Sequence, residues 1–153
     1  MGAVQVKGVN FTKQDNPKST NIIDMGVWGG KIRVQIDTYV TNATEEAGST
    51  IKMAKLPVGA TFLEAILFHG ALGATVTFDL GDTNDPDRYA DAWDVAAAGI
   101  KETRAVDLNQ GYKVLGAAKT TLGTDDQEIM ITTGVATLAD EIDLMLITIY
   151  ALE

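Results

Sequence analysis

From residue 31 onward, apolar and polar side chains alternate along the chain with a period of two. Ile32, Val34, Ile36 and Val40 alternate with Arg33, Gln35, Asp37 and Tyr39, the pattern of a strand with one buried face. A polar stretch from Thr41 to Ser49 leads to a second predicted strand, Thr50–Leu56. Pro57 and Gly59 punctuate the chain before a third, Thr61–His69. Gly70 and Gly73 bracket a turn ahead of Thr75–Leu80, where Val76, Phe78 and Leu80 alternate with Thr75, Thr77 and Asp79. Between Gly81 and Gly99 the alternation lapses. Asp82, Asn84, Asp85, Pro86 and Asp87 spell a loop, and Ala90–Ala98 has the makings of a short helical turn. Strand character returns around Arg104–Leu108, Gly111–Leu115, Gln127–Thr133 and Ile142–Tyr150. Eight short strands at regular spacing, without a long amphipathic helix, predict an all-β protein. The expected architecture is an antiparallel jelly-roll-like β-sandwich.

Residues 1–30 do not share this period. They are rich in Asn, Lys, Thr, Ser and Gly, and their apolar residues come in isolated groups: Val4, Val6 and Val9; Ile22, Ile23 and Met25; Val27 and Trp28. That composition predicts an extended N-terminal arm over 1–30 and a β-sandwich domain over 31–153, the arm docking through a few anchors. The last strand adds a further expectation. Ile142, Leu144 and Leu146 face one way while Met145, Ile147 and Ile149 face the other, and a strand apolar on both sides needs cover on both sides. One cover is the opposite sheet. The other is either the arm or a second subunit, so a homo-oligomer is one expectation.

The 153 residues suffice for one domain with a sizeable core. A formal charge of −9, from 21 acidic and 12 basic residues, repels phosphate backbones and anionic membrane surfaces alike. Nucleic acid and membrane are therefore not expected partners. The longest apolar stretch, Leu144–Leu152, falls far short of the roughly 20 residues of a membrane-spanning helix. The first residues lack the apolar core of a secretory signal, which predicts a soluble protein. With no cysteine, disulfides are excluded and the redox compartment is not indicated.

Candidate chemistry is sparse. His69 is the only histidine, and Ser19 and Ser49 are the only serines. A Ser-His-Asp triad would have to draw its serine from the arm or from a polar loop. One histidine and no cysteine exclude the usual zinc constellations. Gly30-Lys31 is not a phosphate loop, because Met25 and Ile32 stand where that motif requires Gly and Ser or Thr. Paired carboxylates (Glu45 and Glu46, Asp85 and Asp87, Asp125 and Asp126) all fall in expected loops. No catalytic residue is assigned, no cofactor is expected, and the chain does not read as an enzyme. The one candidate metal set is Asp82, Asn84, Asp85 and Asp87, an oxygen-rich loop of the kind hard cations favour. Pro86, Asp87 and Trp93 break the EF-hand pattern there, and the competing reading is a capped turn in which acids pair with Arg88. Asn10-Phe11-Thr12 and Asn42-Ala43-Thr44 match the glycosylation sequon and, without a signal peptide, read as coincidences.

Three stretches bear a likeness to known proteins. The first runs from Asn21-Ile22-Ile23-Asp24 through Gly29-Gly30-Lys31-Ile32-Arg33-Val34 to Ile36-Asp37-Thr38-Tyr39. The second is Lys55-Leu56-Pro57-Val58-Gly59-Ala60, a strand–turn–strand joint. The third joins Ala71-Leu72-Gly73-Ala74, Phe78-Asp79-Leu80-Gly81-Asp82 and Asp85-Pro86-Asp87-Arg88-Tyr89. In this order they resemble the head decoration or cement proteins of tailed bacteriophages. The likeness covers roughly residues 20–90, while the C-terminal third matches only in its β character. It implies a β-sandwich on the outer capsid surface of the virion, made in the host cytoplasm, that bridges subunits of the major capsid protein and stabilises the shell.

On that reading the expected capsid or partner contacts are Ile22, Ile23 and Trp28 of the arm, with Met145, Ile147 and Ile149 of the last strand. Tyr89 and Trp93 form a second candidate surface, unless they pack into the core of their own domain. The competing class is a carbohydrate-binding jelly roll, a lectin or the receptor-binding part of a virion fibre. Tyr89, Asp91, Trp93 and Asp94 would line its site.

Overall fold

A computed structural model describes residues 31–103 and 128–152. The expected arm, with Ile22, Ile23 and Trp28, lies outside the described residues, as do the strands expected over 104–108 and 111–115. Within them are eight strands: β1 (Lys31–Val40), β2 (Thr50–Lys55), β3 (Thr61–His69), β4 (Thr77–Gly81), β5 (Ala90–Asp94), β6 (Gly99–Glu102), β7 (Glu128–Gly134) and β8 (Asp143–Leu152). They form two four-stranded sheets, ordered β1-β8-β3-β6 and β2-β7-β4-β5.

That order has a simple logic. β1 pairs with β8, β2 with β7, β3 with β6 and β4 with β5, all antiparallel. Each pair is nested inside the one before it, as if one long hairpin had been rolled up. Contacts β3–β8 and β4–β7 close the two sheets. This is the jelly-roll arrangement of a β-sandwich, and it agrees with the fold class read from the sequence.

Alternate residues of the strands fill the space between the sheets. Phe62 and Leu67 of β3, Phe78 and Leu80 of β4, Ile129 and Ile131 of β7, and Leu144 and Leu146 of β8 are almost fully buried. Tyr89 lies between the layers and stacks on Phe62 with ring centroids 4.0 Å apart. The turn between β2 and β3 shows why Pro57 and Gly59 are spaced as they are. Gly59 sits at φ +81, the left-handed position of a tight turn, and Ala60 N–H donates to the Pro57 carbonyl at 3.1 Å.

Two local expectations are overturned. Ala90–Ala98 is no helical turn, because its first five residues form the edge strand β5. The register pairs Phe78 with Trp93 but Leu80 with Ala90, so β5 carries one residue more than β4. Ala92, at φ 50, absorbs the extra residue, and Asp79 Oδ1 accepts its N–H at 2.8 Å. The bulge brings Ala90 and Trp93, three apart in sequence, to the same buried side, so a strand shows the spacing of a helix.

The second correction concerns β1. Its apolar side was expected to be the buried one, yet Ile32, Val34, Ile36 and Val40 are exposed. Polar Gln35 and the ring of Tyr39 turn inward instead, half-buried. The register explains it: Val34 stands opposite Ile149 and Ile36 opposite Ile147, on the side of β8 that faces away from the core.

Candidate interaction surface

The outward side of the β1-β8-β3-β6 sheet is built from in-register rows, two of which cross all four strands. One row runs Thr38, Met145, Phe68, Ile100, and the next Ile36, Ile147, Ile66, Glu102. A third runs Val34, Ile149, Glu64. Opposed residues in a sheet project on the same side, so the apolar members of these rows form one field, bordered by Thr38, Glu64 and Glu102. The longer rows span three strand spacings, about 14 Å. Ile32, Val34, Ile36 and Ile100 are each more than half exposed, while Ile66, Phe68, Met145, Ile147 and Ile149 are half-buried. Together they leave bare an apolar area on the order of 400 Å², comparable with the largest patch on a typical monomer.

Met145, Ile147 and Ile149 thus lie where the two-sided pattern of the last strand put them. Sequence reasoning missed their neighbours Ile32, Val34, Ile36, Ile66, Phe68 and Ile100. The branched apolar alternation of β1 was visible, but only its pairing with β8 shows that this side joins Met145, Ile147 and Ile149.

The other candidates are drawn into the fold. Tyr89 and Trp93 are buried, so neither offers the exposed ring that a glycan platform needs, although Asp91 and Asp94 nearby are exposed. In the loop after β4, Asp82 has no solvent exposure and pairs with Arg88, Nε to Oδ2 2.9 Å. Its Oδ1 accepts the N–H of Asn84 at 2.9 Å and of Asp85 at 3.1 Å, and the Tyr89 hydroxyl donates to Oδ2 at 3.4 Å. Oxygens so engaged make a capped turn. Asp85 is pushed above the usual carboxylate range, chiefly by its hydrogen bond with Asp87, then by burial and by the charge of Asp87. Of the four candidate ligands, Asn84 and Asp87 are exposed.

His69 is buried at the end of β3. Its Nδ1 lies 2.9 Å from the Gly70 carbonyl, an oxygen that only accepts, so Nδ1 carries the proton. Glu45, a loop carboxylate, is buried as well. It accepts hydrogen bonds from the Tyr39 hydroxyl, from Asn42 N at 2.8 Å and from Asn42 Nδ2 at 2.7 Å. These are fold-making contacts.

No protein-family model matches the chain, and no curated protein does. Solved structures do. A chain of the cyanophage Pam1 capsid asymmetric unit superposes with a TM-score of 0.65 at 21% identity, over 82% of this chain and 88% of that one. A chain of the capsid of Ralstonia phage GP4 gives 0.61 at 21% identity, over 80% and 85%. The fold is one found in phage capsids. At this identity the likeness extends to the path of the backbone and to the share of each chain it covers.

Proposed function

We propose that the protein is a structural component of a phage virion, a decoration or cement protein. It would sit on the outer surface of the head and bridge subunits of the major capsid protein. The observation that carries this reading is the apolar field across β1, β8, β3 and β6, which gives an acidic protein a large surface suited to docking. The shared fold with chains of two phage capsids supports it. Met145, Ile147 and Ile149 are the centre of the proposed contact, and Ile22, Ile23 and Trp28 of residues 1–30 are proposed to add anchors beside it. A ligand that binds only the assembled shell stabilises that state by mass action, so the role needs no catalytic group. The burial of Tyr89 and Trp93 leaves the carbohydrate-binding alternative without its aromatic platform.

The test is co-sedimentation of the purified protein with mature heads prepared without it, and with immature procapsids. Saturable binding to mature heads is expected, and removal of residues 2–25 should weaken it more than it lowers the melting temperature. Absence of binding to both particles would overturn the reading.

A further inference from the structure

Among the described residues the two sheets have four edge strands, β1, β6, β2 and β5. An edge presents unpaired N–H and C=O groups, and soluble proteins ordinarily blunt it. Three of the four edges are blunted. β6 is only four residues long. β5 has five residues and is interrupted by the bulge at Ala92. β2 also carries a bulge, between Lys52 and Ala54, and has exposed Lys52 and Lys55. β1 is neither short nor bulged, and its exposed charges Lys31, Arg33 and Asp37 include both signs, so they do not repel a second copy of the strand. It runs ten residues in unbroken register with β8 and contains no proline.

Which groups β1 offers follows from its end. Thr41 N–H donates to the Ile142 carbonyl and Glu141 N–H to the Thr41 carbonyl, each at 2.9 Å. Odd-numbered residues therefore direct their amides toward β8, and Ile32, Val34, Ile36 and Thr38 direct theirs to the open edge. Among the described residues, the hydrogen bond seen along that edge is from Thr38 N–H to its neighbour Asp37 Oδ1, at 2.9 Å.

We infer that β1 pairs antiparallel with β1 of a second copy about a twofold axis at Gln35. The sequence of the strand is self-complementary in that register. Val34 stands opposite Ile36 of the second copy, and both point their amides at each other. Ile32 stands likewise opposite Thr38. On the inward side Arg33 meets Asp37 of the second copy, and the symmetry makes this ion pair twice. Arg33 and Asp37 fall at a non-hydrogen-bonded pair, where side chains approach most closely, and opposite charges there are favourable. Nine residues of pairing extend about 30 Å. With the flanking side chains the contact buries on the order of 1,000 Å² in all, the lower bound for a specific interface. The two apolar fields become one surface across the joined sheets, and two seats on one lattice bind with avidity. The pairing stands or falls apart from the capsid reading, because it is measured on the free protein.

The chain has no cysteine, so an introduced one reports on the register alone. Sedimentation of the full chain over a concentration series should show a monomer–dimer equilibrium. Gln35→Cys should form a covalent dimer on oxidation, since facing Cα atoms at such a pair lie about 4.5 Å apart. Asp37→Cys should not, as its two copies lie about 13 Å apart. Asp37→Arg should weaken the dimer roughly tenfold, and Arg33→Asp/Asp37→Arg should restore it. Thermal melting separates weakened pairing from a damaged fold. A monomer at every concentration overturns the inference, as does a dimer that Gln35→Cys fails to link or that Asp37→Cys links equally well. Dimerisation only after removal of residues 2–25 would also overturn it, because those residues would then occupy the edge.

Discussion

Asp82 and Arg88 form an ion pair across the loop that joins β4 to β5, and the carboxylate is wholly buried while the guanidinium keeps partial exposure. The carboxylate also holds two loop amides. Removing it takes an acceptor from both amides and the nearer of two carboxylates from Arg88, whose Nε also lies 3.6 Å from Asp85 Oδ2. Asp82→Ala should therefore cost about 3 kcal/mol, read by urea unfolding. Asn84→Ala, at an exposed position, should cost under about 0.5 kcal/mol. Because the oxygens of Asp82 are spent on the protein itself, adding calcium or a chelator should leave both melting temperatures unchanged.

Gly81 immediately precedes that pair and has no room for a side chain. A Cβ there would stand 2.1 Å from the Asp85 carbonyl oxygen and 2.3 Å from the Pro86 carbonyl carbon. Both obstacles are backbone, so the loop would have to move. Gly81→Ala should cost about 3 kcal/mol. Gly48 offers the contrast, with φ +85 and open space around its Cβ position. Gly48→Ala meets only backbone strain, about 1 kcal/mol, and denaturant midpoints would separate the two.

How far the sequence discloses this fold depends on whether local pattern and pairing agree. β3 and β8 were legible as dense, mostly apolar runs bounded by turn residues, although polar Glu64 and Thr148 are buried in them. β5 was not, since the bulge at Ala92 sets Ala90 and Trp93 at helical spacing. β1 was legible as a strand but not in its facing, because its alternation does not say which side meets the core. The pairing with β8 decides that. For the surface, Met145, Ile147 and Ile149 could be picked out from one strand's two-sidedness. Ile66, Phe68 and Ile100 join them only once β3 and β6 are known to lie alongside.

Tyr39 gives a pH-dependent prediction. Its hydroxyl is held above its ordinary pKa, first by the hydrogen bond to Glu45, then by burial and by the charge of that carboxylate. A group whose folded pKa is raised adds stability that is fully present below the unfolded value, about 10. That stability is lost as pH rises through the folded value. Tyr39→Phe should thus be less stable than the parent by about 1 kcal/mol at neutral pH. The gap should shrink at alkaline pH above the ordinary tyrosine range. Unfolding curves of both proteins across that range check the sign.

The two sides of β8 should respond oppositely to charge. Leu146 is buried between the sheets, and Leu146→Lys places an unpaired ammonium in the core, enough to unfold a domain of ordinary stability, about 5–15 kcal/mol. Ile147, its neighbour, projects onto the half-buried outer field. Ile147→Lys should leave a folded protein that melts only slightly lower, with water replacing apolar contact around the amine. Ile100, more than half exposed on β6 at the far side of the sheet from β1, should tolerate lysine with no more than about 0.5 kcal/mol lost. If the outer field seats the protein on capsid heads, both variants should lose co-sedimentation by at least tenfold while keeping their folded spectra. Ile100→Lys should also retain any pairing through β1, which lies at the opposite edge. Undiminished head binding by both folded variants would remove this face as the seat and direct attention to residues 1–30.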